Sequence, residues 1–147
     1  MTRSPSDAVT RAWIRLMRAR EAVLGAIEAD LKAAGVVPLG WYDVLLELTR
    51  EKGGRLRPAD IEKKILLPQY SLSRLIDRLE KEGLVARAPH EDDARGQWVA
   101  ITEKGRAAQA RTWKVYAKSI EMHVGRKLDD KSAATLGDLL DRLMVEP

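Results

Sequence analysis

Between Gln69 and Lys81 the chain sets hydrogen-bonding and cationic side chains among leucines: Gln69, Tyr70, Ser71, Ser73, Arg74, Arg78 and Lys81. Arginine carries a planar fork of donors and lysine a compact charge, groups suited to the bases and phosphates of a nucleic acid. Leu72, Leu75, Ile76 and Leu79 recur three and four apart, which is the spacing of one helical face. Tyr70, Arg74, Asp77 and Lys81 then fall on the opposite face, with Ser73 and Arg78 on the flanks. Only the first two turns of such a helix reach base edges in a major groove. Gln69, Tyr70, Ser71, Ser73 and Arg74 are therefore expected near bases, and Arg78 and Lys81 near phosphates. Any amphipathic helix also turns polar residues outward, so the spacing alone does not separate a reader of DNA from a solvated face.

A second stretch, DDARGQWVAIT at 92–102, opens with charge and glycine and closes as a half-buried strand. With LVAR at 84–87 it frames a hairpin, and the nine-residue polar loop between LVAR and QWVAIT predicts a long tip rather than a two-residue turn. Arg95 beside Gly96 could reach into a narrow minor groove, whose negative potential favours an inserted arginine. It could equally pair with Asp92 or Asp93 on a solvated loop.

These residues need a scaffold. Val9, Trp13, Leu16, Leu24, Ile27 and Leu31 predict a long amphipathic helix over 7–33, stopped by Gly35. Pro38 and Gly40 punctuate, and WYDVLLELTREKGG reads as a shorter helix. RLRPADIEKKI has an extended start and then a helix from Pro58, so a helix-turn-helix spans about 58–82 with a tight joint at Leu66, Leu67 and Pro68. Thr102 caps a helix carrying Ala110, Trp113, Ala117, Ile120 and Val124 in a seam. A last helix follows Leu128, with Ala133, Leu136, Leu140 and Leu143 on one side.

Composition narrows the function classes. A chain of 147 residues is one domain's worth of sequence. It has no cysteine, which removes thiol nucleophiles, disulfides and cysteine metal sites. No apolar run is long enough to span a membrane and MTRSPSDAVTRAW lacks a signal-peptide core, so the cytoplasm is the expected compartment. The net charge is +4; residues 55–106 carry eleven Lys/Arg against nine Asp/Glu, a balance compatible with DNA binding. No phosphate loop, dinucleotide fingerprint, nucleophile elbow or HExxH motif occurs, so neither an enzyme nor a cofactor is expected. Neighbouring ligands such as His90, Glu91, Asp92 and Asp93 rarely converge on one metal ion, and His123 reads as a packed or surface histidine.

The run from Ile61 to Thr102 resembles the multiple-antibiotic-resistance regulator (MarR-type) family of winged helix-turn-helix transcription factors. Three pieces carry the resemblance: SLSRLIDRLEKEGLVAR at 71–87, DARGQWVAIT at 93–102 and TEKG at 102–105. It implies a mostly α fold with a small β-hairpin, a winged helix-turn-helix over 41–102 with its wing at 84–102, and dimerisation helices at 7–33 and 103–147. It also implies a homodimer on a palindromic double-stranded DNA operator, with repression as the sense of regulation. Three departures stand out. Pro68 occupies the place where the family often starts its recognition helix with serine or threonine, Ala94 and Gln97 replace residues that are often basic, and His90-Glu91-Asp92-Asp93 makes the tip acidic.

The terminal stripes could close over their own core or join two chains, because periodicity does not distinguish the two. Arg20 lies between Leu16 and Leu24 in the first helix's stripe, where a cation wants an acidic side chain or an anionic ligand. Trp13, Trp41, Tyr42, Trp113 and Tyr116 lie on helices that, in the resembling family, surround a cleft for small aromatic acids, although such aromatics are mostly core. A winged helix used only for protein contacts is the alternative function, and the acidic tip is its main support.

Overall fold

A computed structural model describes residues 3 to 146, with the backbone alone at 94 and 95. The chain is mostly helical. Its elements are α1 (Asp7–Ala34), α2 (Leu39–Arg50), β1 (Arg55–Leu56), α3 (Pro58–Lys64), α4 (Leu72–Lys81), β2 (Val85–His90), β3 (Asp93–Ile101), α5 (Glu103–Ile120), a π-helical turn (Glu121–Gly125) and α6 (Asp130–Met144). They divide into two compact units, Leu31–Val115 and the residues on either side of it.

In the Leu31–Val115 unit, Val44, Leu45 and Leu48 of α2, Ile61 of α3, Ile76 and Leu79 of α4, Val85 of β2 and Val99 of β3 lie in one core, all but closed to solvent. Burying a leucine or isoleucine contributes about 1.5–3 kcal/mol, so these side chains fix how α3 and α4 pack under the sheet. The sheet is antiparallel in the order β1-β3-β2. The extended start read before Pro58 proves to be a strand, since Arg55 pairs with Ala100 and Leu56 with Val99. The small hairpin is thus part of a three-stranded sheet.

Three local expectations change. α2 begins at Leu39, so Gly40 lies inside its first turn and does not punctuate; a Cβ there would come 2.8 Å from Gln69 Nε2. α4 begins at Leu72, three residues later than its polar run suggests. Ser71 is its N-cap and accepts a hydrogen bond from the Arg74 amide at 3.3 Å. Pro68 therefore lies ahead of the helix, and the cap that seemed lost is supplied by Ser71. The hairpin tip also differs, because β2 and β3 stay paired out to His90 and Asp93. A two-residue turn, Glu91-Asp92, joins them. Pairing absorbs the polar residues through a register shift between Pro89 and His90, and at Gly96 an added Cβ would meet the His90 Cβ at 3.1 Å.

α4 ends as Gly83 predicts. Its φ is 76°, and the Gly83 and Leu84 amides donate to the Glu80 and Leu79 carbonyls, each at 2.9 Å. At Thr102, the hydroxyl accepts from the Gly105 amide at 3.0 Å and donates to the Gly83 carbonyl at 2.6 Å. One side chain thus starts α5 and ties it to the end of α4.

In the other unit, Asp129 caps α6 through the Ser132 amide at 2.7 Å. Asp30 Oδ2 accepts from the Ser119 hydroxyl at 2.6 Å and lies 2.9 Å from His123 Nε2. These bonds hold the Asp30 carboxyl below its usual range, Ser119 contributing most. α6 buries none of its side chains. Leu136, Leu139, Leu143 and Met144 are exposed on it, as are Val9, Trp13, Ile14 and Met17 on α1.

Candidate nucleic-acid interface

α4 turns Leu75, Ile76 and Leu79 into the core and leaves Ser73, Arg74, Asp77, Arg78, Glu80 and Lys81 exposed. Its outward face carries three cations and two acids, whose fates differ. Arg87 of β2 lies against the helix with its guanidinium on Asp77 Oδ1 at 2.5 Å and within 3.5 Å of Glu80 Oε1. Its own amide donates to Glu80 Oε2 at 3.2 Å. Among the described residues, Arg74, Arg78 and Lys81 make no ion pair. The sheet thereby neutralises the acids of α4 and leaves its cations to the solvent, so the face is more positive than its composition suggests.

The polar residues before α4 do not act as one set. Tyr70 is fully exposed. Gln69 is half-buried, with Nε2 donating to the Leu67 carbonyl at 3.3 Å and packed beside Gly40. Because Gln69 precedes the helix, the helical phase that pointed it outward does not apply. Ser71 spends its hydroxyl oxygen on the cap.

The α3–α4 joint is held from below. Asp43, on the buried side of α2 and only 6% exposed, accepts the Leu67 amide through Oδ2 at 2.8 Å. A charge-assisted bond of this kind contributes about 1.5–3 kcal/mol. It fixes the loop that sets where α4 starts. Sequence reasoning missed Asp43, although an acid among the apolar residues of WYDVLLEL was a signal that some buried donor needed it.

At the hairpin tip a second cluster forms. The Arg55 guanidinium lies 4.2 Å above the Trp98 ring, and His90 stacks on that indole at 4.7 Å between centroids. Glu91 accepts from Trp98 Nε1 at 2.9 Å and from Arg55 Nη1 at 3.0 Å. The Trp98 bond first, then the backbone and Arg55, bring the Glu91 carboxyl down to about 2. The turn's acidity is thus partly cancelled within the sheet. The side chain of Arg95 lies outside the described residues, and so does its suggested pairing with Asp92 or Asp93.

The aromatic residues divide between the two units. In Leu31–Val115, Trp41 packs against the core, and Tyr42 is buried and stacked on Trp113 at 6.4 Å and 15°. Burial pushes the Tyr42 hydroxyl up, against the opposing hydrogen bond to Gln109. Trp113 stays 46% exposed. In the other unit Trp13 is exposed, Tyr116 half-buried and Arg20 exposed. Within the single chain Arg20 is exposed, as are residues 7–15 and 17–22 of α1, so among the described residues no acidic partner or buried stripe encloses it there.

Residues 34–96 match the family model described as MarR family. The HTH-type transcriptional repressor YetL of Bacillus subtilis is 27% identical over 109 residues, which make up 72% of this chain and 65% of YetL. The chain thus spans just under two thirds of that relative's length. The crystal structure of AbsC, a MarR family transcriptional regulator from Streptomyces coelicolor, matches with a TM-score of 0.83 and 26% identity, covering 97% of this chain and 96% of AbsC. A second Streptomyces coelicolor MarR family regulator, solved in complex with DNA, shares the fold with a TM-score of 0.89 at 23% identity, over 98% of this chain and 90% of its own. Residues 34–96 of this chain are thus similar to the MarR family, and its fold is similar to that of solved MarR family regulators.

Proposed function

We propose that the chain is a sequence-specific DNA-binding transcriptional regulator, with α4 as the helix that enters the major groove and the β2–β3 hairpin as the wing. The observation that carries this reading is the sorting of charge on α4, where Arg87 engages both acids while Arg74, Arg78 and Lys81 are exposed and make no ion pair among the described residues. In this reading Tyr70, Ser73 and Arg74 face bases, Arg78 and Lys81 face phosphates, and Arg95 reaches the minor groove. Gln69 and Ser71 shape the start of the helix. The likeness to a member solved with DNA supports the same placement.

The functional unit we infer is a homodimer on a two-fold operator. A two-fold protein matches a palindromic site, and the exposed apolar residues of α1 and α6 supply a surface that a second copy would cover. Occupying a promoter excludes other proteins from it, so repression, the activity named for YetL, is the sense of regulation we infer. We also infer a small aromatic acid as effector, stacking beside the half-exposed Trp113 and its neighbour Tyr42. Such an effector regulates only by binding one DNA-competent state better than the other.

Footprinting of promoter fragments tests the reading. The expected result is a protected site with two-fold symmetry whose half-sites lie about 10 bp apart or a multiple of it. Uniform protection of all sequences, or none, would remove the claim. For the effector, aromatic acids are expected to raise the melting temperature of the parent more than that of Trp113→Ala.

A further inference from the structure

The acidic turn of the hairpin poses a problem for a wing that approaches phosphates, because each carboxylate there repels the DNA backbone. The Trp98 cluster offers an answer. Trp98 is held on three sides: Arg55 of β1 covers one region of the ring at 4.2 Å, His90 of β2 stacks on it at 4.7 Å, and Glu91 accepts its indole N–H at 2.9 Å. Glu91 also binds Arg55 at 3.0 Å. A single carboxylate thus joins the turn to β1 through Arg55 and to the middle strand through the Trp98 indole. The turn is cross-braced further by the Asp92 amide, which donates to His90 Nδ1 at 3.1 Å.

We infer that Glu91 and Trp98 are positioning residues for DNA binding, which fix the wing turn against β1 before DNA arrives. The inference rests on the regulator reading above. Arg55 is then a structural cation, its charge engaged within the sheet, and Glu91 is an acid that favours DNA binding. A pre-ordered wing loses less freedom when it docks, and this is where the affinity comes from. Asp92, next in the turn, carries the same charge but, among the described residues, makes no side-chain hydrogen bond or ion pair.

The two neighbouring acids give opposite expectations. Removing either carboxylate reduces repulsion equally, so a purely electrostatic wing would bind DNA more tightly in Glu91→Ala and in Asp92→Ala alike. If Glu91 positions the wing, Asp92→Ala binds as well as the parent or better, whereas Glu91→Ala binds about tenfold more weakly, the loss of one good contact. Glu91→Gln, whose amide oxygen still accepts the indole N–H, recovers much of that loss. Binding is read by fluorescence anisotropy on promoter DNA at fixed salt. The Trp98 indole N–H resonance, assigned with Trp98→Phe, reports whether the brace has opened.

Weaker binding in Glu91→Ala, with a shifted indole resonance and an unchanged melting temperature, is the expected outcome. Equal or tighter binding by Glu91→Ala overturns the inference and leaves the regulator reading in place. So does weaker binding that follows a global loss of stability with the indole resonance unmoved. If the parent itself binds no promoter DNA in preference to scrambled DNA, the regulator reading falls and takes the inference with it.

Discussion

Replacing Asp43 tests how the fold sets the position of α4. Asp43 is 6% exposed, and its carboxylate accepts the Leu67 amide at 2.8 Å from a helix that is distant in sequence. Asp43→Ala removes the acceptor and leaves that N–H without its partner in a partly buried joint. A charge-assisted hydrogen bond contributes about 1.5–3 kcal/mol, and some of this is offset because the buried carboxylate was desolvated. A net loss of about 2 kcal/mol is expected, which lowers the melting temperature by about 6 °C for a chain of this size. Asp43→Asn keeps an oxygen that can accept the same N–H, and a neutral bond retains roughly half the strength, so its cost should be about 1 kcal/mol. Urea titration of the three proteins gives the ranking directly, with unchanged m-values showing that stability alone has moved. The reasoning fails if Asp43→Ala costs less than about 0.5 kcal/mol, or if the alanine and asparagine variants cost the same. Amide exchange adds a local check: Leu67 should lose protection in Asp43→Ala before the core does.

Ser71→Ala removes the side-chain cap of α4 and should cost about 1 kcal/mol in chemical denaturation, while Ser71→Asp should retain most of the stability. Gly105→Ala would place a Cβ 2.1 Å from the Leu84 carbonyl oxygen and 2.8 Å from Ile101, so backbone must move; a loss of about 1–3 kcal/mol is expected by the same assay, and wild-type stability would contradict the close approach. Glu91 has a carboxyl pKa lowered to about 2 in the folded chain. Its contribution to stability is therefore complete above the ordinary glutamate value and lost as the pH falls through about 2. Its NMR titration should show that low midpoint in the parent and a rise in Arg55→Gln, whereas an ordinary glutamate midpoint in the parent would contradict the bonds to Trp98 and Arg55.

What the sequence revealed follows the range of the interactions involved. The long helices, the Gly83 stop, the Thr102 cap and the inward stripe of α4 are local, written in residues three or four apart, and all are found in the structure. The start of α4 is hidden in the sequence because Gln69 and Tyr70 continue the polar pattern of the helix although the chain turns there, and nothing in the pattern marks Ser71 as the cap. The hairpin tip is hidden because irregular pairing places a two-residue turn within a polar run. Asp43, Arg87 and the Arg55–Glu91–Trp98 cluster depend on contacts between elements, and Arg55 and Glu91 lie 36 residues apart. Such pairs leave no periodic trace. Likewise Arg20 read as buried because its helix carries a stripe, yet no periodicity states which part of a stripe is covered within one chain.

The central claim is that Arg74, Arg78 and Lys81 are left unpaired on α4 because they meet DNA. The most direct test is fluorescence anisotropy of the parent, Arg74→Ala and Lys81→Ala on promoter and scrambled DNA across a range of salt concentrations. Arg74→Ala should cost about 1–3 kcal/mol and blunt the preference for promoter DNA. Lys81→Ala should weaken binding to both DNAs alike and lower the salt slope by about one. Binding that is indifferent to sequence and unmoved by either substitution would contradict the account and leave α4 as a solvated face.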